Sequence, residues 1–477
     1  MSDHSPVILW FRRDLRLADH PALTAACATG RPVIPVFIHD ETLATLGAAP
    51  AFRLGLGIAA FAKTLASLGS RLTLRRGDAL AQVRALVAET GAGAVFWSRC
   101  YDPAGQARDT GVKAVLRAQG LDVQSFGGHL LYEPWAVQTG QGGFYKVYTP
   151  FWNAVRGRDV AAPLPAPTRM PAPAIWPRSD ALADWQMDAA MRRGAAVVAP
   201  HQRVGEAAAT GRLAGFIDTK VAAYKSARDF PGVDATSGLS ENLSYGEISP
   251  VACWHAGMRA MQEGRAGAEH FLKEVVWREF AYHLLHYTPQ ILTANWRAEW
   301  DAFPLNTNAL SPEVKAWAQG RTGVPFVDAA MRQMFVTGTM HNRGRMIVAS
   351  YLTKHLMTDW RIGLDWFADC LTDWDPASNA MGWQWAAGSG PDAAPYFRIF
   401  NPVSQLEKFD AGGLYAKAWI AEGQARPSAT ALSYFGAIPK SWNLSPVAPY
   451  PQPLVELDAG RNRALAAYAD RNLARAQ

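Results

Sequence analysis

Cysteine is scarce in this chain of 477 residues: four, at positions 27, 100, 253 and 370, far apart and never in a C-x-x-C pair. That spacing offers no zinc or iron–sulfur ligand set and no disulfide framework. Long apolar runs are also missing; none approaches the roughly 18 residues of a membrane span. The first apolar run, residues 6–11, is followed by three arginines and an aspartate between Arg12 and Arg16. That order is wrong for a signal peptide. A soluble cytoplasmic protein without a membrane partner is the expectation. Also lacking are G-x-S-x-G, H-E-x-x-H and P-loop motifs, which leaves hydrolytic and phosphoryl-transfer chemistry without its machinery. No G-x-G-x-x-G opens a helix, and Gly91-Ala-Gly93 reads as a turn before a strand.

Tryptophan, by contrast, is abundant, with 18 residues. So many indoles serve stacking sites or fill a helical core. The formal net charge of +6 is mildly basic, compatible with a polyanionic partner and not diagnostic of one. In the first third, short apolar runs at 6–11, 33–38, 71–75, 94–98 and 121–126 alternate with helical patterns such as Leu54, Ile58, Phe61, Leu65 and Leu68. Alternation of this kind predicts an α/β domain with a parallel sheet covered on both faces. Residues 161–178, rich in Pro and Ala, read as an extended connector. From about Gly205 strand signals fade and the pattern is all-helical. The expected division is an α/β domain at 1–132, a connector at 133–203 and a helical domain at 204–477.

Four segments carry candidate chemistry. Between Asp373 and Pro402, Asp373, Asp375 and Asn379 stand among Trp374, Trp383 and Trp385 beside a Gly/Ser/Pro loop. Asn379 and Trp383, four apart, share a helical face. The set suits a buried planar redox ligand, or an aromatic helical core. At 236–249, Thr236, Ser237, Ser240 and Ser244 alternate with Gly238 and Gly246. Hydroxyls and backbone N–H groups ahead of a helix hold a diphosphate, or form an ordinary turn. Glu274, Trp277 and Arg278 share one helical face, as a recognition surface or as an intrahelical Glu–Arg pair beside a core tryptophan. Asn342, Arg343 and Met346 fall near another face; the neighbouring His341 reads as a packed residue rather than a catalyst. Arg343, Arg345 and Arg398 are candidate phosphate contacts.

Together these segments resemble the DNA photolyase/cryptochrome family, most closely its members that repair cyclobutane pyrimidine dimers. The resemblance also takes in WFRRDLRLADHPAL (10–23), LRRGD (74–78), YDPAGQARD (101–109) and YKVYTPFWNA (145–154), and so spans nearly the whole chain. It implies an N-terminal antenna-type domain and a C-terminal helical domain binding FAD and DNA. Cofactor contacts are then expected from Tyr224, Thr236, Ser237, Gly238, Leu239, Ser240, Phe271, Arg278, Asn342, Asp373, Asp375 and Asn379. Lesion or DNA contacts are expected from Glu274, Trp277, Arg343, Met346, Trp385 and Gln405. Catalysis is expected to rest on Glu274, Asn342, Arg343, Met346 and Asn379, with Trp383 and Trp360 as the inner members of an electron wire.

Six positions depart from the family's pattern, one of them Thr339, where many members carry an aromatic at the flavin. Its usual loop arginine and proline are replaced by Gly238 and Glu241, and Leu305 stands where the outer wire tryptophan normally does, with Trp300 a candidate substitute. Folate-binding members carry Asn-Glu at Ala104-Gly105, which points away from methenyltetrahydrofolate and leaves a deazaflavin or no antenna. The expected activity is light-driven dimer repair in UV-damaged DNA by a monomer holding FAD and no metal. A cryptochrome-like photoreceptor is the alternative, and a cofactor-free helical nucleic-acid-binding protein the third reading. Glu274, Asn379 and the Asn342/Arg343/Met346 set favour repair.

Overall fold

The computed structural model describes residues 5–191, 194–392 and 397–476, with the side chains of 472–476 left aside. The part of the tryptophan-rich segment at 393–396 therefore lies outside the described residues. Strands β1 (Val7–Phe11), β2 (Val33–His39), β3 (Thr73–Arg76), β4 (Ala94–Ser98) and β5 (Asp122–Phe126) form one parallel sheet in the order β3-β2-β1-β4-β5. Helices α1 (Pro21–Ala28), α2 (Ala48–Ser67), α3 (Ala79–Thr90) and α4 (Pro103–Ala118) lie between successive strands. The central strands β1, β2 and β4 are apolar nearly throughout because both faces are covered, whereas the edge strands β3 and β5 carry polar and charged residues. Val7, Leu9 and Phe11 pack with Leu54, Ile58 and Phe61 of α2. Ile8 and Trp10 point the other way, into Val83 and Leu86 of α3 and Val112 and Leu116 of α4.

Strand order reverses at β1, and ligands of such sheets bind beyond the carboxyl ends there. In this chain that crevice is crossed by arginines leaving β1. Arg12 donates to Asp109 at 2.7 Å. Arg13 reaches into the helical domain, donating to the carbonyls of Ser244 at 2.6 Å and Trp374 at 2.8 Å. Arg16 donates to the Gly246 carbonyl at 3.1 Å. The charged run after the first apolar segment is thus a clamp between domains. A second clamp is Arg53 of α2, fully buried, which bonds Glu241 and, at 2.9 and 2.6 Å, both oxygens of Glu247. It accounts for a glutamate at position 241.

Residues 161–178 contain neither helix nor strand. They run along the first domain, where the amides of Asp19 and Val33 donate to the carbonyls of Leu164 and Pro171, each at 2.8 Å. Beyond Glu206 the described residues form helices and loops with one isolated bridge, Asn306–Thr358. Five helices position the site: α5 (Tyr148–Val155), α6 (Ala268–Tyr287), α7 (Asn342–Ser350), α8 (Trp360–Cys370) and α9 (Pro376–Ala387). α6 buries residues on nearly every side, from Phe271 to Leu285, as a central helix must. α9 opens on the Asp375 cap with Pro376 in its first turn and closes at Gly388, where φ is 90°. α8 approaches α9 closely because Gly363 has no Cβ; a methyl there would strike the Trp383 indole.

Candidate cofactor and lesion site

A cavity of about 790 Å³ opens in the helical domain. Its walls come from three separated stretches of chain. Ser237, Leu239, Ser240 and Ser244 supply one, Phe271, Glu274 and Arg278 of α6 a second, and Asp373, Asp375, Ser378 and Asn379 the third. Tyr224 and Arg345 complete the lining named here. Ten residues expected from sequence meet here: Tyr224, Ser237, Leu239, Ser240, Phe271, Glu274, Arg278, Asp373, Asp375 and Asn379. Thr236 and Gly238 belong to the same loop but not to the lining. Gly238 takes the left-handed conformation (φ 62°), and Arg212 covers it, donating to its carbonyl at 2.6 Å. Asn342, expected at the cofactor, stands exposed in the first turn of α7 and does not line the cavity.

The acidic wall is tightly held. Asp375 caps α9, accepting from the Ser378 amide at 2.8 Å, and its other oxygen accepts from the Tyr282 hydroxyl at 2.6 Å. Burial alone would raise this carboxyl. Arg13 and Arg278, with the Tyr282 bond, outweigh that and hold it below the ordinary carboxylate range. Asn379 donates to the Asp375 carbonyl at 2.9 Å. Asp373 accepts through one oxygen from Ser240 at 2.7 Å and Arg345 at 2.6 Å. Its Oδ1 is buried without a partner. An unmatched buried acceptor costs about 1–3 kcal/mol, so this atom marks the place of a ligand donor. The hydroxyls of a ribityl chain would satisfy it, and the serine loop suits a diphosphate; the residues present fit FAD. Arg345, read from sequence as a phosphate contact for DNA, is instead part of this wall because Asp373 neutralises it. Ser244, one of the hydroxyls read from sequence as a diphosphate contact, also lines the cavity, whereas Arg13, Tyr282 and Ser378 were not singled out by sequence as cofactor-site residues. Only the arginine run after β1 signalled any of them.

On α6 the three residues expected on one face take separate partners. Glu274 pairs with Arg228, not with Arg278. Arg278 lines the cavity while donating to the carbonyl and the ring of His129, at 2.7 and 2.8 Å. Burial, then the charges of Arg278, Arg13 and Arg16, hold His129 neutral. Trp277 lies flat on Tyr148 of α5, with ring centroids 3.7 Å apart and planes 5° from parallel. Sequence reasoning missed Tyr148 because nothing local links it to α6.

A second cleft, about 820 Å³, holds Arg343 and Gln405 with Asp229, Phe400, Lys408 and Phe409. Arg343 bonds Asp229 at 2.8 Å and sits 4.4 Å over the Phe409 ring. The Gln405 carboxamide oxygen is buried and unpartnered. Met346 and Trp385 are half-buried, and Trp385 lies 6.4 Å from the Phe400 ring. His341 caps α7 by accepting from the Arg343 amide at 3.1 Å. Burial lowers its imidazole to about 4, so it is neutral at physiological pH and serves as a cap.

Trp383 is buried, 4.9 Å from Phe367 and 6.1 Å from Trp317, with its indole N–H unpartnered. Trp360 opens α8, also buried, and donates to Asn295 at 2.8 Å. Trp300 belongs to a separate cluster with Phe303, Phe397 and Tyr468. The Lys354 amine and the Arg471 guanidinium face its ring at 5.3 and 4.3 Å. Burial, with Arg471 nearby, lowers the Lys354 amine well below its ordinary value. The Arg471 charge alone makes Trp300 a poor place for a positive hole.

Comparison with known proteins agrees with this geometry. Residues 7–171 match the family model described as DNA photolyase, and residues 271–470 the one described as FAD binding domain of DNA photolyase. The chain is 46% identical to a deoxyribodipyrimidine photo-lyase of Agrobacterium fabrum, with 98% of each chain covered. It is 36% identical to that of Escherichia coli over 97% of this chain and 98% of the other. Among solved structures, a class III photolyase of Agrobacterium tumefaciens aligns with TM-score 0.90 and 45% identity, covering 98% of both chains. An archaeal photolyase from Sulfolobus tokodaii, described with two FAD molecules, aligns at 0.80 and 28%, covering 98% of this chain and 100% of that one. Among the described residues no helix is long and apolar enough to cross a membrane, and no cluster of metal-ligating side chains occurs. With both family models matched, relatives this similar along the whole chain, and an FAD-fitting cavity under α6, the chain belongs to the DNA photolyase family and is a photolyase, an FAD-dependent DNA-repair enzyme.

Proposed function

We propose that this photolyase splits cyclobutane pyrimidine dimers in DNA under blue light. The observation that carries the reading is the cavity's construction. One side presents Asp373, Ser240 and Asn379 to a cofactor, and α6 contributes the largely buried Arg278 and, at the rim, the partly exposed Glu274. When bound, FAD supplies the light-excited electron; the protein binds, orients and excludes water. Asp373 would take hydroxyl donors of the cofactor, the loop from Ser237 would take its diphosphate, and Asn379 would offer a neutral carboxamide. Glu274 stays close to Arg228 and presents a carboxylate that accepts from a pyrimidine ring N–H. Trp277, braced by Tyr148, and Trp385 offer aromatic faces. Photolyases flip their target out of the stack, and stacking on such faces, about 1–3 kcal/mol per base, offsets that cost. Trp383 and Trp360, both buried, are the residues that would pass electrons inward to a bound cofactor.

Purified, photoreduced protein mixed with dimer-containing oligothymidine under blue light tests the proposal. Recovery of thymine absorbance supports it; a flavin-loaded protein giving no recovery is a photoreceptor instead. Glu274→Ala is expected to slow repair with FAD still bound, and cofactor loss in that variant contradicts the placement of Glu274 at the rim.

A further inference from the structure

Residues 228 and 229 are neighbours of opposite charge at the end of the short helix Tyr224–Ala227. They bond in opposite directions. Arg228 goes to Glu274 on α6, while Asp229 goes to Arg343 on α7. The second pair sits in the open cleft, where 41% of the Asp229 side chain and 14% of the Arg343 side chain are exposed. Arg343 is held on its other side by the Phe409 ring. Its Nε is buried without a partner, as is the Gln405 oxygen in the same cleft. A cation fixed in a cleft, with donor capacity left over and a single solvent-accessible carboxylate bonded to it, has the form of an anion site occupied by an internal anion.

We propose that Asp229 sets the enzyme's discrimination between damaged and undamaged DNA by acting as an internal stand-in for a phosphate. In the free protein it occupies Arg343. A backbone phosphate entering the cleft displaces it, and the freed carboxylate repels the strand. Contacts made only by a flipped lesion overcome that opposition, whereas an undamaged duplex does not make them. The inference rests on the repair reading above. An exposed ion pair of this kind is worth up to about 1 kcal/mol, which sets the size of the effect.

The test is equilibrium binding of FAD-loaded protein, in the dark, to one duplex with and without a single dimer, across a salt series. Wild type, Asp229→Asn, Asp229→Glu and Asp229→Asn/Arg343→Met are compared, with bound FAD measured in each to confirm folding. Asp229→Asn is expected to bind undamaged duplex roughly two- to fivefold more tightly and the dimer duplex by less, so that their ratio falls. Its log K against log[salt] should be steeper by up to about 0.9, one further phosphate neutralised. An equal gain on both duplexes overturns the claim about discrimination. Asp229→Glu should behave as wild type, and the double variant should lose the gain. An unchanged salt slope, or weaker binding of both duplexes by Asp229→Asn, overturns the proposal while leaving repair intact. Wild-type protein that does not prefer the dimer duplex overturns the repair reading and this inference with it.

Discussion

At the scale of single residues, the site depends on polar atoms left deliberately unmatched within the fold. Asp373 is the clearest: one oxygen is satisfied by Ser240 and Arg345, the other buried and free. Asp373→Asn removes the charge that holds Arg345 and, with the remaining oxygen kept by Ser240 and Arg345, puts an NH2 donor where an acceptor was offered to the ligand. Hydrogen bonds to charged groups are worth about 1.5–3 kcal/mol, so FAD affinity is expected to fall roughly ten- to hundredfold, read by titration of apoprotein. Trp383 makes a different prediction. Trp383→Phe should stop light-driven reduction of the oxidised cofactor yet leave repair by chemically reduced enzyme intact. Photoreduction at the wild-type rate in that variant would show that electrons travel another way. The carboxylates, Asn379 and the serine loop were legible in sequence because the motif is local. The Arg345–Asp373 pair was not legible because the two lie 28 residues apart, and an arginine's destination is a matter of tertiary packing.

At the scale of elements, every expected strand is present, the central ones most plainly, since a buried parallel strand writes itself as an unbroken apolar run. Val7–Phe11 is one example and Ala94–Ser98 another. Helices were harder. The hydrophobic period of α6 is blurred because it is buried nearly all round, and its Glu274–Trp277–Arg278 face splits among Arg228, Tyr148 and His129. The same helix carries Glu279, whose carboxylate accepts from the Leu131 amide at 2.8 Å and ties α6 to the chain leaving the first domain. Burial raises this carboxyl from 4.5 to about 7, despite the charge of Arg278 and the two backbone bonds. A raised acid binds its proton in the folded state where the unfolded chain has lost it. Its contribution to stability is therefore fully present below the unfolded value and declines as pH rises through about 7. The whole decline corresponds to roughly 3 kcal/mol. Glu279→Gln keeps an acceptor for the amides and cannot ionise, so thermal unfolding of the variant should be flatter than wild type between pH 5 and 8, with its advantage growing toward the alkaline end. Parallel pH profiles would remove Glu279 from this role.

At the scale of the whole molecule, two domains of different class are joined through buried charge. The architecture was legible from the switch between strand and helix signals, but the joint was not. Arg53 lies 188 residues from Glu241 and 194 from Glu247. In sequence, Glu241 was visible only as a departure from the family's pattern; in the fold it is one half of the clamp. Arg53→Met leaves two buried carboxylates without their cation, a change that costs about 3–5 kcal/mol. Because Glu241 lies in the short helix that follows the serine loop, unfolding of that variant should occur at lower temperature and release the cofactor in the same transition. Cofactor retained well beyond the loss of secondary structure would separate the clamp from the site.

The central claim is that a flavin held beneath α6 supplies the light-driven electron to a dimer lying against Glu274 and Trp277. Its most direct test is the action spectrum of dimer loss under single-turnover conditions with reduced enzyme. Repair per absorbed photon should follow the absorption of the bound reduced FAD and vanish in the dark. Dimer loss that proceeds without light, or that follows a spectrum unrelated to the bound cofactor, would contradict the claim.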